Sequence, residues 1–68
     1  MPLWEAHDGQ VAELKARLKA MRARLGVTQV EFAALVGVNV STVRAWEQGL
    51  RRASPMALRA IERLETAP

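Results

Sequence analysis

GVTQVEFAALVGVNVSTVRAWEQG, residues 26–49, reads as two short helices joined by a tight turn. Thr28 followed by Glu31 is a capping box, in which each residue's side chain satisfies the other's backbone amide. The helix it opens is expected to end near Val36. There Gly37 permits a left-handed backbone that other residues adopt only at a cost. Asn39 is then placed to cap a second helix whose first turn is Val40, Ser41 and Thr42, and Gly49 closes it. Ala33 is small where the two helices must approach, while Phe32, Val36, Val38, Val43 and Trp46 supply the buried contacts. This is the pattern of a helix-turn-helix.

Outward from this stretch the chain stays helical, because strand-like alternation is absent and the breakers fall where helices should end. Upstream, Val11, Leu14, Leu18, Met21 and Leu25 repeat at helical spacing and form one apolar stripe. That helix is expected to start at Asp8 or Gln10 and to stop before Gly26, leaving residues 1–9 as a short arm. Downstream, Ser54-Pro55 is a cap followed by proline at the first helical position. It opens a helix with Ala57, Leu58, Ile61 and Leu64 on one face, and 66–68 form a frayed end. The expectation is an all-α bundle of about four helices, with an arm at 1–9 and one domain at 10–66.

Advancing about 100° per residue separates two faces of the third helix. Val43, Trp46, Glu47 and Leu50 fall on the inner one; Ser41, Arg44, Ala45 and Gln48 fall on the other. Arg22 lies about 20° from Val11 on the first helix's apolar stripe, and Glu47 about 40° from Val43. Two opposite charges therefore point where solvent is scarce, and an internal ion pair between them is expected.

The elements Thr28-Gln29, Phe32-Ala33, Gly37-Val38, Ser41-Thr42-Val43 and Trp46-Glu47-Gln48-Gly49 resemble the helix-turn-helix of the Cro/C1-type (XRE) family. The resemblance implies a lambda-repressor-like, all-α domain that binds double-stranded DNA and regulates transcription, commonly as a homodimeric repressor. It also implies that the third helix enters the major groove with Val40, Ser41, Arg44 and Ala45, while Gln29 reaches the groove edge or a phosphate. Arginine can bond guanine O6 and N7 in a bidentate contact, serine can bond a base or a phosphate, and Val40 and Ala45 offer thymine-methyl contacts. Arg51 and Arg52 suit phosphate anchoring, which positions without reading sequence. Family members often carry an arginine and a glutamate at the positions of Arg22 and Glu47. Many relatives have a fifth helix that helps form the dimer, whereas only one helix's worth of residues follows Pro55 here. The family also contains many antitoxins, so a second reading is an antitoxin or adaptor that grips a toxin or other protein partner through the arm or the Met56 surface.

Composition narrows the alternatives. The net charge is +3, and its arginines and lysines concentrate in 15–24 and 44–63, which favours a polyanionic partner. With no cysteine, thiolate chemistry and cysteine-based zinc sites are excluded, and a reducing, cytoplasmic setting is expected. His7 is the single histidine, so no metal site or cofactor is expected. No nucleophile-base pair or glycine-rich phosphate cradle is present, and the reading is not an enzyme. No apolar run is long enough to span a bilayer. Trp46 falls in phase with the core, Trp4 suits either the core or a dimer contact, and Met56 falls opposite the Leu58 and Ile61 stripe as an exposed contact.

Overall fold

Helices α1 (Leu3–Leu25), α2 (Gln29–Val36), α3 (Val40–Glu47) and α4 (Pro55–Thr66) make up the fold. The computed structural model describes residues 3–67, and side chains from residue 11 onward. Among the described residues there is no strand. α1 begins at Leu3 and not at Asp8 or Gln10, so 3–9 are helical and not an irregular arm. Between Leu3 and Gly26 the strongest weakener of a helix is Gly9, at about 1 kcal/mol relative to alanine, and its neighbours Glu5, Ala6 and Gln10 are good helix formers. The expectations for the side chains of Trp4 and His7 lie outside the described ones.

The core forms where the α1 stripe meets the other three helices. Leu14, Leu18 and Met21 from α1 pack with Phe32 and Ala33 of α2, Val43 and Trp46 of α3, and Ala57 and Ile61 of α4. Burying a side chain the size of Leu18, Phe32 or Ile61 stabilises the fold by about 1.5–3 kcal/mol. Val36, Val38, Val40, Leu58 and Leu64 are half-buried around this centre. Val11 and Leu25, at the edges of the α1 stripe, are also half-buried.

Local signals set the turns. Glu31 N–H donates to Thr28 Oγ1 at 3.1 Å and Thr28 N–H donates to Glu31 Oε1 at 3.0 Å, closing the capping box. Gly37 has φ +87°, and its N–H and that of Val38 both donate to the Ala33 carbonyl, at 2.8 and 3.0 Å. Ser54 Oγ accepts from Ala57 N–H at 3.2 Å, with Pro55 opening α4. Asn39 holds the N-cap position of α3, but its side chain makes no capping bond.

Leu50 does not extend the inner face of α3: it is 75% exposed. The helix ends at Glu47 and Gly49 turns to φ +74°, so the helical phase that would have carried Leu50 inward is already broken before it.

Contacts distant in sequence hold the end of α4 against α1. Arg17 pairs with Glu65 through both nitrogens of a fork, Nε donating at 3.0 Å and Nη2 donating to the other oxygen. Arg24 Nη2 donates to the carbonyls of Leu64 and Glu65, at 2.9 and 3.2 Å. These carbonyls belong to the last turn of α4, which has no helical donors of its own to offer them.

Candidate nucleic-acid interface

α3 is amphipathic across its short length. Val43, Trp46 and Glu47 are buried, and Ser41, Arg44 and Gln48 are exposed on the other side. Ala45 is half-buried beside them. Val40 is half-buried too and packs against the core, so only part of this side chain is left to meet a ligand. As the first helical residue it sits where α3 swings in beside α2, which its phase alone does not reveal. Arg51 and Arg52 are exposed in the loop after Gly49. Together with Glu13 and Arg17 they line a cleft between α1, this loop and α4, to which α3 contributes no residue.

The acidic residue of α3 is turned inward and neutralised. Arg22 Nε donates to Glu47 Oε2 at 2.7 Å and Nη2 donates to Oε1 at 2.9 Å, a bidentate arrangement. The Glu47 side chain is 5% exposed and that of Arg22 25%. The hydrogen bonds from Arg22 hold the Glu47 carboxyl below the usual carboxylate range despite its burial, and raise Arg22 in return. Two further bonds extend the pair: Arg22 Nη1 donates to the Val27 carbonyl at 3.3 Å, and Gln29 Nε2 donates to Glu47 Oε1 at 3.5 Å. One cluster thus ties α1, the α1–α2 turn, the start of α2 and the end of α3 together. The pair was legible from helical phase; the bonds to Val27 and Gln29 were not, because they depend on the path of the turn at Gly26.

This arrangement has a simple electrostatic result. The exposed face of α3 carries Arg44 and neutral hydrogen-bonding groups but no carboxylate, and an α-helix of this kind fits a major groove about 12 Å wide. Gln29 is half-buried, and its amide is engaged with the inward-turned Glu47. Among the described residues no cluster of three or more histidines, cysteines or carboxylates is placed to hold a metal, and no described helix is long and apolar enough to cross a membrane.

A family model described as helix-turn-helix matches residues 18–64, which takes in the last third of α1, all of α2 and α3 and most of α4. No curated protein and no solved structure gives a significant match to the chain.

Proposed function

Since the chain belongs to the Cro/C1-type helix-turn-helix (XRE) family of DNA-binding regulators, we propose that it binds a specific double-stranded DNA site and represses transcription from it, with α3 in the major groove. The observation that supports this best is the exposure of Ser41, Arg44 and Gln48 on the one side of α3 from which the carboxylate of Glu47 has been removed. Ser41, Arg44, Gln48 and Ala45 read bases, with the outer edge of Val40 at a thymine methyl; Gln29 meets the groove edge, and Arg51 and Arg52 grip phosphates.

Selection of bound fragments from a random duplex pool tests the reading, and an unenriched pool overturns it. On the selected site Arg44→Ala costs about 1–3 kcal/mol and relaxes preference at one position. Arg51→Ala weakens selected and unrelated duplexes alike and lowers the magnitude of the log-affinity against log-salt slope by about 1. Titrations of both variants on both duplexes across a salt series separate the roles; a base preference altered by Arg51→Ala and not by Arg44→Ala reverses the orientation of α3.

The DNA-bound species is a homodimer on a two-fold site, its two α3 helices in successive major grooves about 34 Å apart. Sedimentation on a duplex with two half-sites should show two chains bound cooperatively, and independent single-chain binding defeats this part. A second reading, that the chain also grips a protein partner as antitoxins and adaptors do, is favoured by one observation: Met56 is 80% exposed, at the rim of a groove away from α3.

A further inference from the structure

The groove beside Met56 runs between the end of α2 and the outer side of α4. Val36 and Val38 form one wall; Met56, Ala60, Arg59 and Arg63 form the other. Ile61 turns the opposite side of α4 into the core, and the buried Ala57 lies between the two at the base of the groove, so the groove side of α4 is apolar along its floor and cationic along its edge. No acidic residue lines the groove. The ion pairs that consume other arginines, Arg22 with Glu47 and Arg17 with Glu65, lie elsewhere.

Arg59 and Arg63 stand one turn apart, about 6 Å along the axis. We propose that this groove takes an acidic amphipathic helix of a protein partner. Its apolar side chains seat between Val38, Met56 and Ala60, and two carboxylates one turn apart meet Arg59 and Arg63. The inference rests on the partner-binding reading above and supplies the chemistry of the partner. Helix-in-groove recognition needs the features present here: an apolar trough with anchors at helical spacing and a charged rim that fixes orientation. Methionine suits such a trough because its unbranched side chain adapts to varied shapes. An acidic partner fits where DNA does not, since duplex phosphates have no apolar groups to fill the floor. The groove is also separate from the exposed side of α3, so partner and DNA can be held together.

The test uses the full chain labelled with ¹⁵N and a synthetic helical peptide with two leucines one turn apart and two glutamates one turn apart on the adjoining edge. Amide shifts confined to Val38, Met56, Ala60 and Arg63, absent for the same peptide with lysines in place of the glutamates, support the proposal. Binding by the Arg59→Glu/Arg63→Glu variant should fall about tenfold, and Met56→Asp should abolish the shifts. Both substitutions are at exposed positions, and their spectra report folding directly. Shifts scattered over the surface, or equal response to the lysine peptide, overturn the proposal. So does loss of self-association in Met56→Asp without any peptide effect, which assigns the groove to a second copy of the chain. Duplex binding is measured on the same samples: a parent chain that binds the peptide but no duplex sinks the DNA reading alone, and one that binds duplex but leaves the groove amides unmoved sinks this inference alone.

Discussion

Glu47→Gln is expected to destabilise the protein by about 3 kcal/mol, within the lower range for breaking a buried ion pair because Arg22 keeps some contact with water. The amide would keep the shape of the carboxylate while turning an NH2 group toward an arginine nitrogen that needs an acceptor. It would leave the guanidinium without its counter-charge between α1 and α3. In a domain of this size a core rarely supplies more than about 3–5 kcal/mol, so the melting temperature should fall by at least about 10 °C. Thermal unfolding followed by circular dichroism measures it, and an unchanged midpoint would mean that the pair contributes no more than a surface contact. The acid limb gives a second reading of the same interaction. Hydrogen bonds from Arg22 hold the Glu47 carboxyl below its ordinary range, so the pair's contribution is complete above the unfolded carboxylate value. It is lost as pH falls through the depressed one, below about pH 4. Glu65 is depressed in the same direction by Arg17. Glu47→Gln should therefore flatten the fall in stability on acidification without abolishing it.

Trp46→Ala should cost about 3–5 kcal/mol, as large-to-small changes of aromatic core residues do. The indole is 2% exposed and packs in the centre of the core. Its Nε1 has no hydrogen-bond partner among the described residues. Trp46→Phe should for that reason cost much less, about 1 kcal/mol, since the lost contact area is offset by removing a buried donor that is expensive to leave unpaired. Urea unfolding of the two variants gives the comparison. A stable Trp46→Ala protein with weakened DNA binding would instead make the ring a base-stacking group and overturn its place in the core.

The features legible in the sequence are those governed by a few adjacent residues. The capping box at Thr28 and Glu31, the left-handed Gly37 and the Ser54-Pro55 start of α4 each follow from local backbone chemistry, and each helix they bound is present. Helical phase alone also brings Arg22 and Glu47 to the inner sides of their helices. Phase fails where the helix stops, which is why Leu50 was expected inside and lies outside. It fails again at Val40, whose half-burial depends on the angle between α2 and α3. The Asn39 cap was a residue preference without a geometric guarantee. Contacts that depend on two distant segments arriving together, such as Arg17 with Glu65 and Arg24 with the end of α4, leave no trace in local spacing. For the side chains proposed to meet DNA, residue type and phase pick out one exposed face of α3, while base identity rests on distances that only a bound duplex sets.

The grip of Arg24 on the carbonyls of Leu64 and Glu65 changes how the molecule breathes. A helix end with unpaired carbonyls usually frays on its own, and its amides exchange with solvent through small openings that leave the rest untouched. Here the last turn of α4 is fastened by side chains of Arg17 and Arg24 on α1, so it opens only when those side chains release it. Deuterium uptake in the final turn of α4 should consequently track that of the C-terminal half of α1, 40 or more residues away in sequence, and the two segments form one cooperative opening unit. The helix-turn-helix between them then rides on a frame whose two ends loosen together.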